Sequence, residues 1–240
     1  MGRRLWSRVG CDCPLCGARV AGARLCGGCA NDITAAPPGG RPRCPRCALR
    51  LPLMGRDSVP VMPPICPACL GAPRPFDRTI AAFDYVPPAD ALIRMLKTQL
   101  RLSMAPVLAR LLADAIRHEP NPLPDGVLLA PVPASRASLR ARGMNPAAEI
   151  ARSLAAELNL PLVRQALRRR RETPRQTALG RHARRQVAAG LFKASSVVRG
   201  RHVAVVDDVM TTGSTVQAAA VALLAAGAAG VTVLVVARTP

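Results

Sequence analysis

Apolar runs of strand length alternate with amphipathic segments of helix length from Thr79 onwards. The apolar runs predict four buried strands, at 79–86, 126–133, 202–207 and 231–237. The segments between them predict four helices, at 88–101, 103–118, 145–159 and 215–226. This alternation is typical of a parallel sheet that is covered by helices on both faces. We therefore predict an α/β fold whose ligand site lies at the carboxyl ends of the strands.

The longest nearly apolar run, 218–237, is long enough to span a membrane. Gly227 and Gly230 interrupt it, and its second half is rich in β-branched residues, so we expect a buried helix followed by a buried strand. The opening stretch, "MGRRLWSRVG", is charged but is not followed by the apolar segment of a secretory signal. We therefore expect a cytoplasmic protein without membrane insertion.

All nine cysteines precede residue 70, and eight of them form four Cys-x-x-Cys pairs. This spacing suits zinc, because a tight turn aims both thiolates of a pair at one tetrahedral ion. Four pairs supply two closed four-thiolate sites. Their expected role is to stabilise a proline-rich segment that is too short to build a core of its own. The predicted zinc ligands are Cys13, Cys16, Cys26, Cys29, Cys44, Cys47, Cys66 and Cys69.

Sequential grouping of the pairs, first with second and third with fourth, is the simplest arrangement, and an interleaved grouping stays open. The remaining Cys11 either competes with Cys13 or takes no part. The alternatives to zinc are disulfides in a secreted domain and redox catalysis by one pair. The odd cysteine count and the repetition of the motif argue against them. We predict a zinc-ribbon domain over 1–75 and an α/β domain over 76–240.

The stretch "VAVVDDVMTTGST" (203–215) begins within the predicted strand at 202–207. It combines two adjacent acids with a hydroxyl-rich turn. A glycine-containing turn at a helix N-terminus can bind a phosphate through backbone N–H groups and the helix dipole. Adjacent carboxylates suit the vicinal hydroxyls of a ribose, so a ribose 5-phosphate would fill both halves. Solvated acids, a magnesium site and an ordinary helix N-cap are the alternatives. The candidate ligand residues are Asp207, Asp208, Thr211, Thr212, Gly213, Ser214 and Thr215.

The formal net charge of +20 raises the question of a nucleic-acid partner. Of the 34 basic residues only Lys97 and Lys193 are lysines, and a GC-rich coding sequence by itself produces such an excess of arginine. Between Arg164 and Arg185 there are nine arginines and one acid. A functional basic surface and an ordinary solvated one both remain open.

The "VDDVMTTGST" motif resembles the binding motif of type I phosphoribosyltransferases, which bind 5-phosphoribosyl 1-diphosphate (PRPP) with Mg²⁺. The resemblance implies the parallel-sheet, Rossmann-like fold of those enzymes. It places the family's diphosphate-binding loop on "APVPASRASLRARGMN", at Val132, Pro133, Arg136 and Arg140. It also places the mobile catalytic loop on 168–186 and makes the candidate catalytic residues Arg142 and Arg175.

Across nearly its whole length the chain resembles the ComF family, through its cysteine pairs, the two motifs above, "PFDRTIAAFDY", "LIRMLK" and "RETPRQTALGRHAR". The resemblance implies a protein that assists the uptake of transforming DNA in competent bacteria. Its implied partners are single-stranded DNA and the DNA-processing proteins of the competence machinery. The alternative function is an active phosphoribosyltransferase, which moves 5-phosphoribose from PRPP to an acceptor and releases diphosphate. The chain departs from the family pattern after Lys97, at Pro146 and at Gln186, positions that bear on turnover more than on ribose-phosphate binding.

Overall fold

The N-terminal part of the protein is built around its cysteines rather than around a sheet. The computed structural model describes residues 10–34, 42–52, 65–170 and 190–240. A short antiparallel hairpin, β1 (Gly10–Asp12) with β2 (Arg19–Ala21), precedes helix α1 (Gly27–Thr34). A single-turn helix, α2 (Pro67–Leu70), begins directly after Cys66.

The centre of the protein is a parallel four-stranded sheet. All its neighbouring strands run parallel, and its two central members are buried almost throughout. This arrangement confirms the predicted α/β class. In their order across the sheet, the strands are β3 (Arg78–Asp84), β8 (Gly230–Arg238), β7 (His202–Met210) and β4 (Leu128–Pro131).

Helices cover both faces of this sheet. One face packs against α3 (Asp90–Lys97), α4 (Met104–Arg117) and α6 (Pro146–Leu158), and the other packs against α7 (Ser214–Ala225). Successive residues of β7 serve the two faces in turn, because side chains alternate along a strand. Ala204 and Val206 join the first core cluster, whereas Val203 and Val205 join the second. The continuous apolar run in this strand is therefore the signature of burial on both sides.

The apolar run at 218–237 forms the end of α7 and most of β8, as predicted. Gly227 separates the two elements with a φ of +91°, a conformation that L side chains rarely adopt. Among the described residues, no helix has both the length and the apolar character needed to cross a membrane.

Further elements that were not predicted lie between the main strands. The first is helix α5 (Arg136–Arg142), in a segment expected to be a loop. Ser135 caps it by accepting a hydrogen bond from the Ser138 N–H at 3.0 Å, and Gly143 ends it in a left-handed conformation. The second is an antiparallel hairpin, β5 (Leu167–Arg169) with β6 (Phe192–Ala194). Most of the predicted catalytic loop, including Arg175, lies between these two strands and outside the described residues.

The cysteine-rich part packs against β3, the edge strand of the sheet. The Thr79 N–H donates to the Pro45 carbonyl at 3.0 Å, and the Thr79 hydroxyl donates to the Arg46 carbonyl at 2.8 Å. Asp84, at the end of β3, accepts hydrogen bonds from Arg43 and Arg50. The edge of the sheet is thereby covered, as exposed edges in stable proteins usually are. The division of the chain at residue 75 stays a prediction.

Candidate functional site

The eight paired cysteines form two compact groups. Within each group the four sulfur atoms lie within 4.8 Å of one another. The Sγ atoms of Cys16 and Cys26 are 3.5 Å apart, and those of Cys47 and Cys66 are 3.6 Å apart. A tetrahedral zinc ion with Zn–S distances of about 2.3 Å requires S–S separations of about 3.8 Å, so both groups fit zinc. The first four-cysteine cluster is Cys13, Cys16, Cys26 and Cys29; the second four-cysteine cluster is Cys44, Cys47, Cys66 and Cys69.

This grouping is sequential, as the simplest arrangement predicted, and Cys11 belongs to neither cluster. Backbone N–H groups help to favour thiolates in both. The Cys29 N–H donates to Cys26 Sγ and the Cys66 N–H donates to Cys44 Sγ, each at 3.5 Å. Burial opposes ionisation of Cys44, but backbone hydrogen bonds outweigh it and lower the pKa of this thiol to about 7. All four ligands of the second cluster are buried, so a metal there would be structural.

The adjacent acids lie within β7 rather than beyond it, because the strand continues to Met210 and not to the predicted end at 207. Asp207 is half-buried and Asp208 is buried. Each carboxylate accepts a hydrogen bond from the next backbone N–H, at 2.9 Å from Asp208 to Asp207 and at 2.7 Å from Val209 to Asp208. The alternation of the strand changes phase here, since Val209 packs on the same face as Val206.

An ion pair fixes one member of the acid pair. Lys97 Nζ, at the last residue of α3, lies 2.7 Å from Asp208 Oδ1. Burial, and then the negative charge of Asp208, raise the pKa of Asp207 to about 8, although Lys97 and the Asp208 N–H act in the opposite direction. At neutral pH Asp207 therefore holds a proton in the absence of ligand, while Asp208 is paired with a lysine.

The hydroxyl-rich turn follows the acids after Val209 and Met210 and leads into α7. We call residues 211–215, which the sequence predicts to bind a ribose phosphate, the ribose-phosphate loop. Gly213 has a φ of +80°, a conformation that L side chains rarely adopt, so the backbone of the turn favours glycine at this position. The Ser214 N–H donates to Thr212 Oγ1 at 3.4 Å. The first N–H groups of a helix have no carbonyl partner within it, so this turn can bind an anion at the positive end of the helix dipole.

The predicted diphosphate loop follows β4, the strand beside β7, so both loops leave the same edge of the sheet. Val132 is buried, and its N–H donates to the Val206 carbonyl at 2.9 Å. The side chain of Asn145 donates to the Val132 carbonyl at 2.9 Å and caps α6, where Pro146 takes the first helical position. Pro133 adjoins this buried turn and is half-buried. On α5, Arg136 and Arg140 are exposed and Arg142 is half-buried.

Three residues near the loops were missed by sequence reasoning as site residues. Lys97 carried a usable signal, because it is one of two lysines in a chain that otherwise uses arginine. Asn145 carried another, since asparagine before proline is typical of a helix start. Arg74, whose Nη1 donates to the Thr212 carbonyl at 3.2 Å, is separated from that residue by 138 positions and carried none.

Comparison with known proteins gives consistent matches. The phosphoribosyl transferase domain family matches residues 138–240. DNA utilization protein YhgH of Salmonella typhi is 36% identical over 200 residues, which cover 82% of this chain and 84% of that protein. The same protein of Escherichia coli strain K12 is 34% identical over the same shares. Competence protein F of Haemophilus influenzae is 29% identical over 205 residues, which cover 82% and 83% of the two chains.

The chain belongs to the ComF family. Its membership confirms the resemblance drawn from the cysteine pairs and the "VDDVMTTGST" motif. Among solved structures, the alignment with an allosteric regulatory enzyme of purine biosynthesis covers 55% of this ComF-family chain and 25% of the enzyme's chain. Its TM-score of 0.36 and identity of 24% are too low to inform the site.

The cluster geometry predicts the zinc content of this ComF-family protein. The purified chain should carry two zinc ions, and Cys69→Ser should carry one, because it removes a buried ligand from the second four-cysteine cluster. Cys11→Ser is the matched control and should keep both ions. Elemental analysis of zinc per chain measures this directly. Loss of an ion from Cys11→Ser, or two ions in Cys69→Ser, would contradict the assignment.

The raised pKa of Asp207 predicts a pH dependence of stability. In the folded protein Asp207 keeps its proton up to about pH 8, whereas in the unfolded chain its pKa is the ordinary 3.8. The contribution of Asp207 to stability therefore falls as the pH rises between these two values. Asp207→Asn removes that loss. Relative to the wild type, its free energy of unfolding should therefore increase from roughly pH 6 to roughly pH 8, as urea unfolding with saturating zinc would measure. The exposed Asp125→Asn is the control, and a pH-independent difference for Asp207→Asn would refute the shift.

Proposed function

We propose that this ComF-family protein binds a ribose 5-phosphate group, in the form of PRPP with Mg²⁺, at the carboxyl end of β7. We further propose that it acts in DNA utilization and in the handling of transforming DNA. One observation carries the ligand proposal: a buried strand carries Asp207 and Asp208 and ends at Met210, where a glycine turn leads into α7.

The two halves of this motif suit the two ends of a ribose phosphate. Carboxylate oxygens accept hydrogen bonds from vicinal hydroxyls, and such charge-assisted bonds are strong in a partly buried site. The ribose-phosphate loop offers backbone N–H groups and four hydroxyls, on Thr211, Thr212, Ser214 and Thr215. A sugar held by the acids would place its 5-phosphate at the loop, since the two are adjacent in the chain.

Binding of PRPP with Mg²⁺ would change the charge state of the acids. Without ligand, the proton on Asp207 and the ion pair of Asp208 with Lys97 limit the negative charge at this edge. A bound Mg²⁺ with the diphosphate of PRPP would favour the ionised form of Asp207, because a nearby cation lowers the pKa of a carboxyl. Hard oxygen ligands of this kind are those that Mg²⁺ prefers, usually together with substrate phosphates.

Arginines near the site suit the remaining parts of the proposal. Arg136, Arg140 and Arg142 follow the neighbouring strand β4, where guanidinium groups would meet a diphosphate. For DNA, the proposal rests on the relatives' names, which are a DNA utilization protein and a competence protein, and on the net charge of +20. Exposed Arg164, Arg168 and Arg170 on and beside β5 would contact phosphates of single-stranded DNA.

Calorimetric titration with PRPP and Mg²⁺ tests the ligand proposal. The zinc-loaded wild type should bind, and Asp207→Asn/Asp208→Asn should weaken binding by at least about 100-fold, because two charge-assisted contacts are lost. Asp125→Asn changes an exposed acid elsewhere and should bind like the wild type. A folded, zinc-loaded wild type that binds no PRPP would refute the proposal and would direct attention to single-stranded DNA and protein partners.

A further inference from the structure

Arg74 joins three parts of the structure that are distant in sequence. Its Nη1 donates to the Thr212 carbonyl of the ribose-phosphate loop at 3.2 Å. Its guanidinium faces the side-chain amide of Gln217 on α7, with Nε 3.2 Å from the amide oxygen in the orientation that satisfies both groups. Its guanidinium also lies beside the side chain of Cys69, a member of the second four-cysteine cluster, and favours the thiolate there by lowering its pKa against the effect of burial. One planar group thus contacts the cluster, the loop and the helix that follows the loop.

The local sequence holds this arginine in place. Arg74 is half-buried and lies between Pro73 and Pro75 in "APRPF". Proline fixes its own φ and restricts the residue before it, so the backbone on both sides of Arg74 has little freedom to lose on folding. The five N–H donors of a guanidinium have a fixed geometry and can therefore serve several acceptors at once.

A second arginine makes an independent connection between the same two regions. Arg238, near the end of β8, is 8% exposed. Its Nε donates to the Cys47 carbonyl at 2.9 Å, and its Nη1 donates to the Met210 carbonyl at 3.1 Å. Met210 in turn lies against Gly213. Both ends of the turn are thus fixed from the cysteine-rich side, Met210 through Arg238 and Thr212 through Arg74.

We propose that Arg74 is a positioning residue that couples the second four-cysteine cluster to the ribose-phosphate loop. A zinc ion in this cluster would hold Cys69. Cys69 and Gln217 lie against the guanidinium, and the guanidinium donates to the Thr212 carbonyl. The loop is thereby held ready for its ligand, and the ligand stabilises the cluster in return, because coupling between two sites is reciprocal. The part of this inference that concerns the ligand rests on the proposed function.

Hydrogen exchange of the zinc-loaded protein tests the coupling without any ligand. Arg74→Ala should speed exchange of the backbone amides of 211–217 about tenfold, because one end of the loop loses its hydrogen bond. Arg74→Lys keeps the charge but not the fork, and should give most of the same effect. The matched control is Arg19→Ala, which removes an exposed arginine paired with Asp12 beside the first four-cysteine cluster. Unchanged exchange in a folded Arg74→Ala with two zinc ions would overturn the proposal.

Site-resolved alkylation of the cysteines tests reciprocity. PRPP with Mg²⁺ should slow alkylation of Cys69 and its cluster partners severalfold in the wild type, and should leave the first cluster unaffected. Arg74→Ala should lose this protection, and its affinity for PRPP should fall about tenfold. Equal protection in wild type and Arg74→Ala would contradict the coupling. A wild type that binds no PRPP would refute the proposed function instead, while the exchange experiment would still decide the role of Arg74.

Discussion

The parallel pairing of β7 with both β4 and β8 is the constraint on which the site depends. Val206 pairs with Leu234 of β8 on one side and with Pro131 of β4 on the other, and side chains on both faces of β7 are buried. A shift of one residue would exchange the two faces of the strand and would break both ladders, so the register is strongly specified. The acids and the turn that follow Val206 therefore emerge at one defined place on the sheet edge. Loops on a rigid scaffold can hold ligand groups in this way.

Zinc bound at the two four-cysteine clusters would stabilise the N-terminal part, as an apolar core stabilises the rest of the protein. Short proline-rich segments bury too little apolar surface to fold alone, and metal ligation supplies the missing stability. Here the clusters also join the main core: Cys13 packs with the apolar side chains beside α3 and α4, and Cys44 packs with those beside α7. The cysteine-rich part therefore packs against the sheet at its β3 edge. Arg74 and Arg238 connect this part to the ribose-phosphate loop and to Met210, which precedes the loop.

Features set by local physics could be predicted from the sequence. Buried strands, amphipathic helices, the Cys-x-x-Cys pairs and the acid-to-glycine motif are all encoded within short stretches, and Asn145 and Asn159 even cap α6 at the predicted limits. Features set by tertiary contact could not. The extension of β7 to Met210 depends on its pairing with β8, and the ion pair of Lys97 with Asp208 depends on how α3 packs. Arg74 meets its partners only because the chain returns to the cysteine-rich part after 138 residues.

An experimental structure of the zinc-loaded protein with PRPP and Mg²⁺ would show directly whether a ribose phosphate binds at the carboxyl end of β7. We expect the 5-phosphate on the backbone N–H groups of 211–215, the ribose hydroxyls on Asp207 and Asp208, and the diphosphate toward the arginines that follow β4. Asp207 would then be ionised, and the Thr212 carbonyl would still accept from Arg74. A ligand bound elsewhere on the basic surface, with the turn at Gly213 empty, would show that the carboxyl end of β7 is not a ribose-phosphate site.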